Sequence, residues 1–534
     1  MSPLNVELLV LPESHGLTAA RPAHETRAEP AQRITWLVDN ADAYRALLAA
    51  CRAAQTSIWL TQLAFDADCV AYLPEDTGAE EGESAEMRIA DVLEERARAG
   101  GVAVRVLLNA SLLLDTAAAL RCHFAARGVE AQRLRIRGID RFPQLLHAKL
   151  VIVDGTTAFL VGSPFANGYW DDCQHLPVDA RRPARELGGR PLHDLSVELR
   201  GPSVAALAEG FAELWNGADD LEPDDDERLE APLAPGDDRV RIVRSAPRPA
   251  LAGQPVERRE ILPALLQGIA SAERLIYIEH QYLSAIPVID ALVAVLARRP
   301  ALEVIVLVNQ NPDVTAYRGW QNRRLKASGL FVHPRVGIFS PWTLASGAPA
   351  VRAVASQIFI HSKVVVVDDR WAMVGSANLD GVSLTTYGED FSGRLGQRVF
   401  RGVRNFDVAA VLTADPAEAA SPTITELRTA LWREHLDAPD LDATAVPEGG
   451  WLLHWRTRAA RNVATLHACT EVGGPHDRGT EPALLVLPYS RASTPERQLR
   501  TLGVPFASER LRLSFRPSWI EVHFSPNWLR NVFA

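Results

Sequence analysis

The chain contains one short motif twice, and this duplication constrains its fold more than any other feature. The segments 147–149 (H-A-K) and 361–363 (H-S-K) are each followed, after four intervening residues, by an aspartate, so both read H-x-K-x4-D. Lysine is otherwise almost absent, since 56 residues are lysine or arginine and only three of them are lysine. Because arginine has not replaced lysine at these two places, we infer that a compact ammonium group is needed beside each histidine.

The residues around the two motifs repeat as well. In each half an apolar run with strand character, at 57–65 and at 275–283, precedes a helical pattern. A second apolar run then ends in asparagine, at Asn109 and Asn309, and a short strand ending in Gly-Ser follows each H-x-K segment. Strands that alternate with helices are typical of α/β folds in which helices pack on a sheet. The repeat therefore predicts two tandem α/β sandwich domains related by pseudo-twofold symmetry.

Shifts in composition predict the boundaries of these domains. We expect an N-terminal extension (1–34), a first half (35–216), an acidic linker (217–238), a second half (239–446) and a small C-terminal β-rich module (447–534). Short apolar runs predict the strands of that module, and its tryptophans are more typical of a small core than of a lipid-facing surface.

Charge and cysteine usage exclude several classes of function. The net charge of −10 disfavours a nucleic-acid partner, which usually requires a basic face. Five scattered cysteines without a C-x-x-C spacing indicate neither a disulfide framework nor a zinc site, so we expect no cofactor and no metal. His175 and His193, in and beside a predicted insertion at 173–192, are more typical of surface positions than of ligands.

No segment resembles a membrane span or a cleavable leader. No run of 18 apolar residues occurs, and the first residues lack the basic and apolar regions of a secretory signal. We expect a monomer that is cytoplasmic or peripheral to a membrane. Export by a route that does not require a cleavable signal peptide is an open alternative.

The motif predicts phosphodiester chemistry without a metal. Side chains two apart on a strand point to one face, so each histidine projects together with its lysine. If the halves face each other, two lysines neutralise a phosphate while one imidazole attacks phosphorus and the other donates a proton to the leaving oxygen. Water or an alcohol then attacks the phospho-histidine intermediate.

The duplicated motif, G-S-A-N at 375–378, Y-I-E-H-Q-Y-L at 277–283 and H-D-L-S-V-E-L-R at 193–200 together resemble the phospholipase D superfamily over residues 35–440. The resemblance implies two tandem phospholipase D-like domains that share one active site. It implies that His147 is the nucleophile and His361 the acid and base. The other catalytic residues that the resemblance implies are Lys149 and Lys363 on the phosphate and Asp154 and Asp368, which close the motifs. The supporting residues are Asp194 behind His147, Glu389 behind His361, and Ser163, Ser376, Asn167 and Asn378 near the phosphate.

The function predicted from this resemblance is cleavage of the distal phosphodiester of glycerophospholipids at a membrane surface, with water or an alcohol as acceptor. A phosphatidyl transferase of the cardiolipin synthase type is the first alternative, and a nuclease of the same superfamily is the second. A non-catalytic scaffold is disfavoured because both histidines and both lysines are intact.

Overall fold

A computed structural model describes most of the chain. The described residues are 32–74, 84–111, 114–130, 132–141, 144–183, 187–222, 225–231, 239–248, 257–346, 353–386, 402–471, 483–506 and 510–514. Glu389, most of the predicted N-terminal extension, part of the linker and the end of the tail lie outside these residues.

The first half is a sheet with helices on its outer and inner faces. Its strands are β1 (Arg33–Val38), β2 (Ser57–Thr61), β3 (Val70–Pro74), β4 (Ser84–Arg88), β5 (Ala103–Ser111), β6 (Leu114–Asp115), β7 (Leu134–Ile139), β8 (Leu145–Leu146), β9 (Leu150–Val153), β10 (Thr157–Leu160), β11 (Leu192–His193) and β12 (Leu195–Arg200). Its helices are α1 (Asp39–Ala53), α2 (Ile89–Ala99), α3 (Ala117–Ala126) and α4 (Ser203–Asn216), with a 3₁₀ turn at Asn167–Tyr169.

The second half has the same kinds of elements. Its strands are β13 (Val240–Ala246), β14 (Arg258–Arg259), β15 (Leu275–His280), β16 (Glu303–Val308), β17 (Val336–Ser346), β18 (Ala353–Gln357), β19 (Phe359–Ile360), β20 (Lys363–Val367), β21 (Trp371–Gly375) and β22 (Asn405–Thr413). Its helices are α5 (Ile261–Ser271), α6 (Ile286–Arg298), α7 (Thr315–Ala327), α8 (Gly381–Leu384) and α9 (Pro422–His435), with a 3₁₀ turn at Leu330–Val332. The tail adds α10 (Gly450–Ala468), β23 (Ala483–Pro488), α11 (Pro495–Thr501) and β24 (Leu511–Leu513).

The two sheets have the same strand order, which confirms the predicted repeat. The first runs β1-β12-β10-β9-β2-β5-β7 and the second β13-β22-β21-β20-β15-β16-β17. In both, the first four pairings are antiparallel and the last two are parallel. The motif strands β9 and β20 lie at the centre, where both faces are covered, and this explains their unbroken apolar sequences.

Two short pairings join the halves reciprocally. β8, which leads into the first motif, pairs in parallel with the start of β22. β11, which leads into β12, pairs in parallel with β19, which leads into the second motif. Each motif strand thus stays in its own half's sheet, while the short strand that leads into it pairs with a strand of the other half.

A shared apolar core lies between the sheets. It includes residues of both sheets together with Phe211 and Trp215 of α4 and Leu427 and Trp432 of α9, all fully buried. Burial of a large apolar side chain contributes about 1.5–3 kcal/mol, so this core is a strong source of stability for the joint between the halves.

The prediction of a separate β-rich module at 447–534 is wrong for its first part. Residues 450–468 form the helix α10, in which Trp451 and Trp455 are buried against Trp432. Its buried residues recur every three to four positions, which is a helical period, although short windows also resemble a strand. The strands β23 and β24 exist but extend the second half's sheet, beside β17 and β18.

The acidic linker lies on the first sheet. Asp225 accepts hydrogen bonds from Arg137 on β7, whose side chain is 3% exposed, and Glu227 pairs with Arg105 on β5. Burial raises the pKa of Asp225, but the Arg137 contact outweighs it and the pKa lies below its usual value. The described part of this acidic run is therefore an ion-paired cover for the sheet rather than a solvated loop.

Among the described residues, none of the helices combines the length and the apolar character that a transmembrane segment requires.

Candidate active site

The two H-x-K segments are held by backbone bonds to the opposite half. The amides of His147 and Ala148 both donate to the carbonyl of Phe406, over 3.0 and 2.7 Å. The amide of His361 donates to the carbonyl of His193 over 2.8 Å. Both motif histidines and both motif lysines are buried. Each pair therefore lies at the joint between the halves.

The carboxylate behind each histidine also comes from the opposite half. Nδ1 of His147 lies 2.7 Å from Oδ1 of Asp407, and Nδ1 of His361 lies 2.8 Å from Oδ2 of Asp194. The prediction that Asp194 lies behind His147 is therefore wrong, because the β11–β19 pairing places Asp194 beside the second motif. Glu389, predicted behind His361, lies outside the described residues, and Asp194 occupies the position expected for it.

Sequence reasoning missed Asp407, although the repeat contains the signal for it. The segments 192–199 (L-H-D-L-S-V-E-L) and 405–412 (N-F-D-V-A-A-V-L) both carry aspartate at the third position. These segments run into the equivalent strands β12 and β22. A comparison of the two halves beyond the H-x-K motif would have identified Asp407 as the partner of Asp194.

The serines of the two Gly-Ser segments hold these carboxylates. Ser376 Oγ donates to Asp407 over 2.7 Å, and Ser163 Oγ donates to Asp194. Ser163 Oγ also lies 3.4 Å from Nδ1 of His361. A carboxylate with its own donor and an imidazole beside it fixes the tautomer of that imidazole, so that Nε2 is left for chemistry. We therefore assign both serines to positioning rather than to direct phosphate binding.

The lysines bring concentrated positive charge into a buried place. Nζ of Lys149 donates to the carbonyl of His147 over 2.8 Å, and Lys363 makes the same bond to His361. Burial, together with the charge of Lys363, lowers the pKa of Lys149 to about 7. Burial likewise lowers the pKa of Lys363 to about 8. A phosphodiester anion between them would supply the missing negative charge and favour both ammonium groups.

The histidines are held in the neutral state. Burial lowers the pKa of His147 to about 4, and the Lys149 charge adds to this effect while Asp407 opposes it. Burial and Lys363 lower the pKa of His361 to about 3, and Asp194 opposes them. Neutral imidazole is the nucleophilic form, so both rings are ready to attack before an anion enters.

Two asparagines, one near the end of β5 and one directly after β16, hydrogen-bond the backbone of the residue before each motif histidine. Asn109 donates to the carbonyl of Leu146 and accepts its amide, both over 2.9 Å. Asn309 makes the same pair of bonds to Ile360, both over 2.8 Å. Sequence analysis noted these asparagines only as strand ends, and we assign them to positioning the motifs.

The two asparagines predicted near the phosphate, Asn167 and Asn378, do not have equivalent positions in the structure. Asn378 is buried, and its Oδ1 makes no hydrogen bond to any of the residues that the structure describes. Asn167, predicted as its counterpart, instead ties the loop before β3, through Asp68 and the amide of Val70. Only Asn378 of this pair is therefore a candidate to contact substrate.

The motif aspartates stand at the far ends of their strands. Asp154 lies five residues beyond Lys149, roughly 16 Å along an extended strand. Its carboxylate accepts the amides of Gln55, Thr56 and Ser57 over 2.7–2.9 Å. Asp368 accepts the amides of 273, 274 and 275 in the same way. Although the motif suggested a catalytic role, this geometry supports a structural one.

We expect Asp154→Ala to lower stability and leave the turnover of folded protein nearly unchanged. The loss of these bonds should cost about 1–3 kcal/mol. Burial raises the pKa of Asp154, but the backbone amides outweigh it and hold the pKa below its usual value. The stabilisation is therefore present above the unfolded pKa of about 3.9 and disappears as pH falls through the folded value. Urea unfolding at several pH values measures it, with exposed Asp290→Ala as control. A large loss of kcat at unchanged stability would contradict this assignment.

Comparisons with known proteins find sequence matches to parts of this chain. A family model described as "Cardiolipin synthase, PLD-like domain" matches residues 265–392. A stretch of 255 residues is 28% identical to cardiolipin synthase A of Pseudomonas putida (strain W619), which covers 46% of this chain and 45% of that protein. A stretch of 419 residues is 22% identical to phospholipase D1 of Saccharomyces cerevisiae, which covers 61% of this chain and 24% of that protein. The chain thus spans less than half the length of these two relatives.

A solved structure shares the fold. The crystal structure of phosphatidylserine synthase from Haemophilus influenzae Rd KW20 superimposes with a TM-score of 0.50 at 14% identity, over 75% of this chain and 86% of that one. The duplicated H-x-K-x4-D motif and these sequence matches make the chain similar to the phospholipase D superfamily, and the solved structure shows the shared fold.

Proposed function

We propose that this chain is a phosphatidyl transferase, which moves a phosphatidyl group from a glycerophospholipid to an alcohol through a phospho-histidine. The observation that carries the proposal is the convergence of two His–Asp pairs and two lysines at one buried joint. The sequence alone favoured hydrolysis over transfer. The cardiolipin synthase relatives support the transferase instead.

The first step forms the intermediate. The phosphate of the donor lipid lies between Lys149 and Lys363, which neutralise its charge and the charge that builds in the transition state. Nε2 of His147 attacks phosphorus while Asp407 holds the opposite ring nitrogen. The negative charge of the bound phosphate favours the imidazolium form of His361, which is protonated on both ring nitrogens. The P–N bond forms, the P–O bond to the head group breaks, and this imidazolium gives its Nε2 proton to the leaving oxygen.

The second step reverses these roles. The hydroxyl of the acceptor gives its proton to Nε2 of His361 and attacks phosphorus, which breaks the P–N bond. Asp194 stabilises the imidazolium that His361 becomes in each cycle. His147 is released as the neutral base, and the phosphatidyl group now esterifies the acceptor.

Hydrolysis is the second candidate, because the match to phospholipase D1 covers more of this chain than the synthase matches do. Water then takes the place of the alcohol. The same residues serve both outcomes, so the affinity of the site for an alcohol decides between them.

Product analysis on vesicles tests the proposal. With phosphatidylglycerol vesicles, whose head group is itself an alcohol, we expect lipid with two phosphatidyl groups on one glycerol in excess over phosphatidate. Mass spectrometry of the lipids measures both, and the His147→Ala protein is the control. Phosphatidate alone would favour hydrolysis. Cleavage of plasmid DNA without any lipid turnover would overturn both candidates in favour of a nuclease.

A further inference from the structure

A second buried cluster of titratable groups lies outside the active site. It combines Asp39, the first residue of α1, His175 in the loop before β11, His193 on β11, and Glu434 in the last turn of α9. The first three side chains are at most 1% exposed and Glu434 is 11% exposed. The mechanism uses none of them, and the expectation that both histidines lie at the surface is wrong.

The ligand atoms of the four residues converge on one point. Nε2 of His175 lies 3.3 Å from Asp39 and 3.1 Å from Glu434. Nδ1 of His193 lies 3.2 Å from Asp39 and 2.6 Å from the same Glu434 oxygen. Ligand atoms at 2.0–2.1 Å around a tetrahedral Zn²⁺ are themselves about 3.3 Å apart. Three of the four measured separations are close to that spacing.

A further carboxylate lies beside the outer nitrogen of each ring. Nδ1 of His175 is hydrogen-bonded to Asp171 over 3.0 Å, whereas Nε2 of His193 lies 2.9 Å from Glu279 in an ion pair without hydrogen-bond geometry. Histidines that bind metals usually give their other N–H to a carboxylate or carbonyl, which turns the lone pair of the remaining nitrogen toward the ion. His175 has that arrangement, and His193 has a carboxylate at ion-pair distance from its outer nitrogen.

Two of the inner atoms lack hydrogen bonds, although Nε2 of His175 is hydrogen-bonded to Glu434 over 3.1 Å. Oδ2 of Asp39 and Nδ1 of His193 are buried, and neither makes a hydrogen bond of acceptable geometry within the described part of the chain. Unsatisfied buried polar atoms are costly, particularly when they carry charge. A cation at the centre would satisfy both of them and would balance two carboxylates against two neutral imidazoles.

We propose that Asp39, His175, His193 and Glu434 bind one divalent transition-metal ion, with Zn²⁺ the best match. Two imidazoles and two carboxylates suit zinc, and zinc binds such sites more tightly than manganese or iron does. All four positions are filled by protein, which is typical of structural rather than catalytic zinc. The ion goes beyond the proposed function, because it contacts no group that reacts with phosphate.

The ion would stabilise the active site indirectly, by holding the segment that contains Asp194 in place. His193 is adjacent to Asp194, and the backbone amide of Asp39 donates to the carbonyl of Asp194 over 2.8 Å. Glu434 comes from the second half, so the ion would join α9 to the segment that supplies the carboxylate behind His361. No local spacing reveals the site, because its ligands are spread over nearly 400 residues of sequence.

Metal analysis tests the proposal without any activity assay. Protein purified without metal-affinity resin should contain about one zinc ion per chain by mass spectrometry. Removal with a chelator should lower the melting midpoint by several degrees, and added Zn²⁺ should restore it. Because ligand variants can fail to fold, Co²⁺ added to the stripped wild-type protein provides a second measurement, through the visible absorption of a tetrahedral cobalt site.

Two variants, His175→Gln and Asp225→Asn, test whether zinc is bound by these ligands. The first removes a ligand and should reduce the zinc content to background. The second alters a buried aspartate whose partners are arginines and should leave the zinc content unchanged. Zinc-free wild-type protein that gains no thermal stability with Zn²⁺ and shows no cobalt band would overturn the proposal. Neither result depends on phosphatidyl transfer, so the two proposals can fail separately.

Discussion

Replacement of His147 by alanine should abolish the covalent intermediate and lower kcat by about 10⁴-fold or more. Without its imidazole the protein has no nucleophile at phosphorus. Intact-mass spectrometry after mixing with the p-nitrophenyl ester of phosphatidate should show a phosphatidyl adduct on wild-type protein and none on His147→Ala. The exposed His467→Ala protein is the matched control and should form the adduct normally.

His361→Ala should behave in the opposite way with the same substrate. A p-nitrophenolate leaves without a proton, so the variant should still form the adduct. It should then accumulate the adduct, because no base remains to activate the acceptor. An adduct on His147→Ala but not on His361→Ala would reverse our assignment of roles. No adduct on any of these proteins, including the wild type, would exclude the phospho-histidine route.

The second large effect is expected at the two carboxylates that cross between the halves. Asp407→Asn and Asp194→Asn should each lower kcat by about 10³–10⁴-fold, the range known for an amide that replaces a carboxylate behind a catalytic histidine. An amide can donate to Nδ1, which would place the other ring nitrogen in the wrong tautomer.

The two variants should differ in their dependence on the leaving group. Asp407 contacts the nucleophile. Its variant should therefore be slowed by the same factor, relative to wild type, whether the leaving group is an alcohol or p-nitrophenol. Asp194 serves the proton donor, so its variant should recover most adduct formation with p-nitrophenol. Asp369→Asn, which alters a carboxylate paired with Arg428, controls for general destabilisation. The reverse pattern would show that Asp194 acts on His147, as the sequence alone suggested.

In the structure, each motif histidine contacts an aspartate of the opposite half, and this could not be predicted from the sequence. The repeat around the H-x-K motif correctly predicted two α/β halves and their central strands. It placed the H-x-K residues on those strands, whereas 147–149 and 361–362 lie directly before β9 and β20 and only Lys363 is on a strand. Which carboxylate lies behind which histidine depends on how β11 and β19 pair across the halves, and local patterns contain no information on that pairing. The cluster around His193 was missed for the same reason, because its members meet only after both halves have folded.

Errors elsewhere came from short windows and from motif membership. Residues 450–468 contain apolar runs that resemble strands over a few residues, and only the longer period, visible over all 19 residues, indicates a helix. Asp154 and Asp368 belong to the motif, yet a strand places them far from the lysines. Their recurrence reflects a fold requirement, since both have positive φ and accept three backbone amides.

The reciprocal pairing of β8 with β22 and of β11 with β19 has a consequence for how such a chain can evolve. Each repeat supplies the carboxylate that contacts the other repeat's motif histidine. After a duplication, a mutation of that carboxylate in one copy would therefore impair the histidine of the other copy. The relationship is that of an isologous homodimer, in which one surface patch meets itself across a twofold axis. Fusion into a single chain keeps the mutual dependence of such a dimer and removes its dependence on concentration.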